Sequence, residues 1–467
     1  MNDKAMTIAA AVPTTPARPE LARGRAVEPA TSRLAYFVFI LVNVMLFVRP
    51  TELIPALAGW PFYEWLIEAC MLLSLPSLVK ELTPGTVKRW PINWCVVGLL
   101  PAVALSQLSH FQMGFAAQFS VEFAKLLVYF LLLVIHVNTL ARLRQFLVAI
   151  SLFLFIVTGL ALLQYYHYFN IPQLAAYYER QENMIDPETG QPMTIGRISA
   201  MGIFNNPNDL SRMLVICVFI CLYFVGDKSQ GVLRFLWAGP LVMFAFANGL
   251  TYSRGGLLGM LSGLALLFYL RFGKAKSIML GALVLPALLI VFAGRQTNVN
   301  LSEGDTAYLR MLFWRAGFEA LVHAPIFGTG MGTYVDLAGA VAHNSFVHAY
   351  TELGIFGGTM FFGLFYFGIY DLFKSRAYDS RVRKGELLRL RPYVMAILFS
   401  YGVGMLSSSR CYDVPTYTLA GIAASYTRLL AAGPHVLSPM NWKSIKRVTV
   451  SSLLMLAGLY VFVRLKT

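Results

Sequence analysis

Charged side chains are scarce in this sequence. They make up 13% of the 467 residues, whereas 57% are hydrophobic, and the mean hydropathy is +0.62. A soluble domain carries about 25% charged residues. A soluble fold of this length would have to bury more apolar surface than it can enclose. The composition therefore predicts a protein that crosses a membrane several times.

Cysteine patterns that bind metal or form a disulfide framework are also missing. The chain has five cysteines and no Cys-x-x-Cys pair. Four of the five lie inside apolar runs, where a free cysteine behaves as a small hydrophobic residue. The sequence thus predicts neither a zinc site nor a disulfide scaffold, and we expect no metal ion and no cofactor.

A cleavable signal peptide is lacking at the start of the sequence. The first apolar run begins only at Leu34, and no small-residue cleavage pattern follows it. Residues 1–33 are rich in Ala, Pro, Thr and Arg without periodicity, which predicts a disordered cytoplasmic tail. Residues 34–467 are expected to form the transmembrane helical domain.

What the chain does contain is a series of long apolar runs. Only helices satisfy their own backbone hydrogen bonds in lipid, so the runs predict an all-α, polytopic membrane protein with about 12 transmembrane helices. Twelve or thirteen runs can be distinguished, and 415–430 is the weakest. They are 34–49, 62–79, 93–108, 117–137, 146–168, 209–226, 235–251, 255–270, 277–293, 352–373, 392–407, 415–430 and 448–464.

The charges between the runs predict the orientation. The net charge is +15, and Lys and Arg collect in alternate loops, most densely in 374–391. Membrane proteins concentrate these residues in cytoplasmic loops, which explains the charge without a nucleic-acid partner. The N-terminus is then cytoplasmic. The segments predicted to lie outside are 50–61, 109–116, 169–208, 251–255, 294–351 and 408–414.

Four arginines in the outer segments oppose this charge bias and need a local reason. Each could anchor a lipid headgroup or cap a helix. Arginine also holds phosphate through two parallel hydrogen bonds and stays charged at any working pH, so a group of them predicts a site for a lipid-linked diphosphate. The four are Arg197, Arg254, Arg310 and Arg315.

The longest polar interruption, 294–351, ends in a histidine pair. His343 and Asn344 are typical of a helix entry, but His343 also titrates near neutrality beside the arginines and is a candidate catalytic base. His348 lies five residues later and faces elsewhere on a helix, so we expect it to pack. The glycine-rich segment 328–332 lacks the Gly-Lys ending of a nucleotide loop and predicts a turn.

Several motifs occur in an order that resembles the O-antigen ligase and O-antigen polymerase superfamily of bacterial inner membranes. The hydrophobic layout agrees over about residues 34–430. The motifs are Ser253-Arg254-Gly255, Arg310-x-x-x-Trp314 with the glycine-rich segment 328–332, His343-Asn344-Ser345-Phe346 followed by Glu352-x-Gly354, and the loop from Arg197 to Asn208 that ends Asn-Pro-Asn.

The resemblance implies a GT-C-like fold with a periplasmic helical loop region, and a metal-independent, inverting glycosyltransferase. Such proteins move a glycan from undecaprenyl diphosphate to an acceptor on the periplasmic side of the bacterial inner membrane. It implies that Arg254 and Arg310, with Arg197 and Arg315, bind the diphosphate. His343 would receive the proton of the attacking hydroxyl, and Asn344 would position the acceptor.

The acceptor is left open by the sequence. For a ligase it is the lipid A–core oligosaccharide, for a polymerase another lipid-linked glycan, and for a protein O-oligosaccharyltransferase a Ser or Thr hydroxyl. The short outer loop before His343 and the lack of a long soluble C-terminal domain favour the ligase. A transporter of lipid-linked glycans is the non-enzyme alternative, but such proteins carry repeats and midplane sites, whereas the unusual polar residues here gather on one side.

Overall fold

The computed structural model describes residues 31–185, 190–291, 306–381, 385–431 and 439–466. Most of the predicted disordered tail lies outside the described residues. The same holds for the first part of the polar segment 294–351, up to residue 305.

Helices account for most of the described chain, which confirms the predicted helical class. Capping side chains mark several helix starts: the Asn206 side chain accepts a hydrogen bond from the Asn208 amide at 2.8 Å, and Thr139 accepts one from the Arg142 amide at 3.2 Å. Such caps are each worth about 1 kcal/mol. The α-helices are α1 Arg33–Phe47, α2 Pro50–Leu53, α3 Phe62–Glu81, α4 Pro84–Arg89, α5 Pro91–Leu108, α6 Met113–His136, α7 Leu140–Tyr165, α8 Pro207–Val225, α9 Ala238–Leu250, α10 Arg254–Val291, α11 Thr306–His323, α12 Tyr334–Ala338, α13 Ser345–Ser375, α14 Gly385–Gly404, α15 Val414–Ala431 and α16 Trp442–Lys466.

Ten of the described helices are long and apolar enough to cross a membrane, so the chain is a multi-pass membrane protein by the length and composition of its helices. The predicted number of spans was about 12. Helix α10 joins two predicted runs but breaks at Gly273, where φ is 77°. Helix α1 has only 15 residues, and α15 is not among the ten.

Helix α15 explains why its run was the weakest in the sequence. It contains Tyr417, Thr418, Ser425 and Tyr426, and all four are buried. The helix packs among α5, α6, α7, α13 and α14, so lipid does not select its composition. The hydroxyl groups of Tyr417, Thr418 and Tyr426 instead hydrogen-bond inside the bundle, as between Thr418 and Tyr129 at 2.9 Å.

One two-stranded sheet corrects the all-α prediction. Strand β1, Tyr177–Ile185, pairs antiparallel with β2, Pro192–Arg197, and the register places Tyr177 opposite Arg197. The acidic pair Asp186 and Glu188, between the strands, lies outside the described residues. Arg197, the last residue of the hairpin, lies at the end of the helical bundle.

Polar clusters mark the two ends of the bundle. Helix α8 has 19 residues, which corresponds to about 28 Å, close to the roughly 30 Å of a bilayer core. Asp209, near its start, pairs with Arg212 and Arg410. Asp227, just past its end, pairs with Arg144 and Arg389. The arrangement fits a helix that crosses the apolar layer between two charged surfaces.

The glycine-rich segment predicted as a turn fills a break in α13. The helix is interrupted at Gly354, where φ is 65°. The Gly330 amide donates to the Glu352 carbonyl at 3.0 Å, and the Ile355 amide donates to the Pro325 carbonyl at 2.8 Å. A Cβ atom on Gly328 would lie 2.4 Å from the Glu352 backbone. The glycines therefore permit a close backbone approach that satisfies the broken helix.

Candidate active site

Most of the predicted site residues lie at one end of the bundle, on separate elements. Arg197 ends β2, Arg254 begins α10, and Arg310 lies in the first turns of α11. His343 and Asn344 directly precede α13. The connection between α14 and α15 lies among these elements and joins them.

Asn344 fixes the backbone at the entry to α13. Its side-chain oxygen accepts hydrogen bonds from the amides of Phe346 and Val347 at 3.1 and 3.3 Å, so it is the N-cap of the helix. His343, one residue earlier, has φ of 49°, a left-handed conformation that is uncommon for any residue but glycine. Strain of this kind is often found at functional sites. The buried Nδ2 of Asn344 has no hydrogen-bond partner in the described part of the chain.

His343 lies in a positive environment outside the membrane-spanning segments. Burial lowers the pKa of its imidazole to about 4, and the charges of Arg310 and Arg410 lower it further, while Asp209 opposes them. The imidazole is therefore neutral at physiological pH and has a lone pair to accept a proton. A bound anion would raise this pKa by offsetting the two guanidinium charges.

Arg310 is directed to His343 by Trp314, one helical turn further along α11. The Trp314 Nε1 donates to the carbonyl of Ala342 at 2.6 Å, and Ala342 precedes His343. Residues four apart share a helix face, so Arg310 faces the same loop. This geometry explains why the two positions of the Arg-x-x-x-Trp motif occur together.

Arg315 lies on another face of the same helix. Its Nε donates to Glu319 at 3.0 Å, and the two side chains are 43% and 58% exposed. The structure therefore separates Arg315 from Arg310, as expected from a spacing of five residues.

Arg254 begins α10 where this helix meets two others. The Ser253 hydroxyl accepts from the Gly256 amide at 3.1 Å. Cβ atoms on Gly255 and Gly256 would lie 1.8 and 1.7 Å from the hydroxyls of Ser407 and Ser211. The two glycines therefore allow the start of α10 to pack closely between α8 and the end of α14. This packing places Arg254 at the junction of the three helices.

Arg197 holds the neighbouring turn in place. Its Nε donates to the Thr251 carbonyl at 2.8 Å, its Nη1 to Glu179 at 2.6 Å and its Nη2 to Asn208 at 3.0 Å. The residue is 4% exposed. Three of its five N–H donors are therefore occupied by the protein, and they tie β2 to the turn that leads into Arg254.

A second cationic group was not predicted from the sequence. Asp209 accepts two hydrogen bonds from Arg410, from Nε at 2.9 Å and from Nη2 at 2.5 Å, and it also pairs with Arg212. Arg410 lies in the predicted outer segment 408–414, so the charge bias that identified the other arginines also identifies this one. The charge bias does not identify Arg212, because this residue lies inside an apolar run.

Arg212 has unused hydrogen-bonding capacity. Its Nε and Nη1 are buried and have no hydrogen-bond partner among the described residues, although the residue is only 6% exposed. Orphaned buried donors cost free energy unless a ligand or water satisfies them. They mark this position as one where an anion could be held.

Ser345 connects the new cations to the histidine. Its hydroxyl donates to the Ser408 carbonyl at 2.5 Å and accepts from the Arg410 amide at 2.8 Å. Ser345 is two residues from His343, and Ser407, next to Ser408, packs on Gly255. This chain of contacts joins α10, α13 and the α14–α15 connection in one site.

His348 belongs to a buried pair beneath the site. Its Nε2 lies 3.0 Å from Glu352, and its ring packs on Tyr334 and Tyr412. Within the described ranges, no group of three or more His, Cys, Asp or Glu side chains is placed to hold a metal ion. Glu352 also accepts from the Tyr334 amide at 3.2 Å, so the pair stabilises the loop below His343.

A family model matches part of the chain. Residues 239–362 match the family model described as O-antigen ligase, about a quarter of the chain. No curated protein matches the sequence significantly. The matched range contains Arg254, Arg310 and His343, whereas Arg197, Asp209 and Arg410 lie outside it.

The match has a general functional meaning. It supports a function of the O-antigen ligase or polymerase type and indicates an enzyme that transfers glycosyl groups. The family match covers three of the four motifs that carry the resemblance, whereas the loop from Arg197 to Asn208 lies outside it. The match over residues 239–362 supports the assignment of this segment to the O-antigen ligase family.

Proposed function

We propose that this protein is an O-antigen ligase that transfers a glycan from undecaprenyl diphosphate to the lipid A–core oligosaccharide. The observation that carries the proposal is His343, a neutral imidazole next to Arg310 and Arg410 at one end of the bundle. A base that is neutral beside fixed cations suits a reaction in which a hydroxyl is deprotonated and a diphosphate leaves.

The proposed chemistry forms one bond and breaks one. The acceptor hydroxyl oxygen attacks the anomeric carbon from the face opposite the diphosphate, so the configuration inverts. His343 receives the hydroxyl proton, and the bonding electrons leave with the diphosphate oxygen. The positive charges stabilise the developing negative charge. No step requires a metal ion.

The diphosphate is assigned to Arg254 and Arg310. Arg310 lies beside His343, and the start of α10 packs on Ser407, next to the Ser408 carbonyl that Ser345 contacts. Arg410 adds positive charge to the same site. Arg212 adds two N–H groups that have no hydrogen-bond partner among the described residues. Arg197 is bound on three sides by the protein, so its proposed contribution is to position the turn before Arg254. We leave Arg315 outside the pocket because it pairs with Glu319 on an exposed face.

An apolar cavity near His343 suits the polyprenyl chain. It has a volume of about 340 Å³ and lies between α13, α14 and α16. Phe346, on its wall, is three residues from His343, and Leu406 closes the same end. A lipid bound with its diphosphate at the arginines could place its first isoprene units here, and Asn344 would face the acceptor from the loop.

The proposed location is the bacterial inner membrane, with the N-terminus cytoplasmic and the site periplasmic. The charge bias of the loops supports this orientation. It also agrees with the two charged ends of α8. In this orientation, residues 34–467 form one GT-C-like transmembrane domain. Adding α1, α15 and the second part of α10 to the ten long helices gives 13 spans among the described residues, against the predicted number of about 12.

Deletion of the gene, followed by analysis of lipopolysaccharide, tests the proposal. Loss of long chains, with polymer remaining on undecaprenyl diphosphate, is the expected result. His343→Ala and Arg254→Ala should fail to restore long chains. Arg464→Ala should restore them, because Arg464 is an exposed arginine at the same end that donates to Tyr460.

Two outcomes would contradict the proposed ligase function. Single repeat units on the core would indicate a polymerase instead. Unchanged lipopolysaccharide with underglycosylated periplasmic proteins would indicate transfer to protein hydroxyls. Normal transfer by both site variants would reject the site itself.

A further inference from the structure

An arginine-lined cavity lies at the opposite end of the bundle from His343. It has a volume of about 240 Å³ and is formed where α10, α13 and α14 meet. Helix α14 runs from this cavity to the candidate active site, and α10 connects Arg254 with it. Its lining includes Arg271, Arg376, Arg389 and Arg391, together with Leu270 and Met395.

Two of the arginines are held in place by carboxylates. Arg391 donates to both oxygens of Asp379, at 2.5 and 2.6 Å. Arg389 donates to Asp227 at 2.5 Å, and its buried Nε makes no hydrogen bond within the described chain. Fixed guanidinium groups lose less freedom when they bind a ligand, so the cavity is preorganised for an anion.

The other two arginines contact neutral groups. Arg271 donates to the hydroxyl of Tyr393, and Arg376 lies over the ring of Phe373, 5.5 Å from its centroid. Neither contact cancels a positive charge. With Arg144, the described part of this cluster contains five arginines in total. They face three carboxylates, Asp227, Asp379 and Glu386. Two positive charges therefore remain.

Two exposed aromatic side chains contact arginines of the cavity. Phe272 and Phe373, beside Arg271 and Arg376, are 44% and 50% exposed. The volume is below the roughly 300 Å³ of a site for a drug-sized molecule, so a headgroup fits while longer chains remain outside. A positive-inside charge bias accounts for basic residues at helix ends, but not for four guanidinium groups around one cavity, two of them in contact with exposed phenylalanine rings.

We propose that this cavity binds the phosphate of an anionic phospholipid, with the acyl chains along the exposed aromatic surface. Basic pockets between membrane helices commonly hold such headgroups. The proposal does not depend on the glycosyl transfer, because the cavity is separated from His343 by the length of α14. A free phosphate is the other source of the same chemistry.

The test uses the full-length protein purified in detergent, with binding measured by native mass spectrometry and thermal shift. Phosphatidylglycerol should bind and raise the unfolding temperature more than phosphatidylcholine with the same chains. Arg376→Gln should weaken phosphatidylglycerol binding by about 5-fold. Arg376 is exposed, so its substitution should not prevent folding. Lys274→Gln, an equal change of charge outside the cavity, should bind as the unaltered protein does.

Three results would overturn the proposal. Equal binding of phosphatidylglycerol and phosphatidylcholine would exclude recognition of the anionic headgroup. An equal loss in Arg376→Gln and Lys274→Gln would show attraction by overall charge. Binding of inorganic phosphate as strong as that of phosphatidylglycerol would identify a soluble ligand. The double variant Arg271→Gln/Arg376→Gln should lose binding by more than either single change, which a purely structural role of these residues does not predict.

Discussion

The chemistry of the site depends on the charges around a single imidazole. His343 is neutral because of burial, with Arg310 and Arg410 lowering its pKa further. The same arginines would attract the diphosphate that brings negative charge beside the imidazole. Binding of the donor lipid would then raise the basicity of His343 at the moment when a base is needed.

Removing Arg310 should raise the pKa of His343. Arg310→Gln takes away a positive charge that disfavours the imidazolium, so the pKa should move from about 4 toward the ordinary value of about 6.5. Titration of the histidine by NMR measures the shift. Arg464→Gln is the control, because this exposed side chain pairs with Tyr460. An unchanged pKa in Arg310→Gln would contradict the assigned contact.

Asp209 should be required for a stable site. Asp209→Asn removes the carboxylate shared by Arg212 and Arg410 and leaves two buried or half-buried cations together. Breaking such a pair costs about 3–5 kcal/mol, so the unfolding temperature should fall. The double variant Asp209→Asn/Arg410→Gln should recover part of the loss. A single variant as stable as the unaltered protein would show that the cluster contributes little.

Residue-level prediction from the sequence found the cations that oppose the loop charge bias. It identified Arg254 and Arg310 from that bias. Arg310 lies beside His343, and Arg254 begins the helix that packs on Ser407. The prediction missed Arg410, which satisfies the same criterion, and Arg212, which lies within an apolar run. Burial and pairing with Asp209 depend on tertiary contacts between α8 and the α14–α15 connection, and no local pattern encodes them.

At the scale of elements, the site is built from helix starts and one broken helix. The starts of α8, α10 and α13 converge, and the break at Gly354 is filled by the segment 325–330. Sequence periodicity predicted the apolar runs well because lipid exposure selects their composition. The β1–β2 hairpin was not predicted, since Tyr177-Tyr178-Glu179-Arg180 lacks alternation of apolar and polar residues.

The close packing of α10 on α8 should be sensitive to one methyl group. Gly256→Ala would place a Cβ atom 1.7 Å from the Ser211 hydroxyl, and overpacking of this kind costs about 1–3 kcal/mol. Thermal unfolding and glycan transfer should both decline, and Ser211→Gly should restore part of each. Gly281→Ala is the control, because nothing lies within 4 Å of its added methyl. Equal unfolding temperatures and equal glycan transfer in the two alanine variants would contradict the close packing of α10 on α8.

At the scale of the whole molecule, two charged ends enclose an apolar layer. The end with His343 and Asp209 has the features of a transfer site, and the end with Asp227 has the arginine-lined cavity. The sequence predicted this polarity from loop charges alone. The number of spans was less predictable, because buried α15 is too polar for a hydropathy criterion and α10 joins two runs across Gly273.

The proposed orientation can be measured by cysteine labelling. Ala58→Cys and Lys274→Cys place single reactive thiols on exposed residues at the two ends, while the five native cysteines are buried. A membrane-impermeant maleimide added to spheroplasts should label position 58 and not position 274. Labelling of position 274 alone would invert the topology and place His343 on the cytoplasmic side.

The central claim is tested most directly by transfer in proteoliposomes with purified donor lipid and lipid A–core acceptor. His343→Ala should bind the donor normally but transfer glycan at least about 100-fold more slowly, whereas Arg310→Ala should also bind the donor more weakly. His323→Ala is the control, since this exposed ring lies on the last turn of α11 and hydrogen-bonds to the Glu319 carbonyl of the same helix. Transfer at an undiminished rate by His343→Ala would contradict the account.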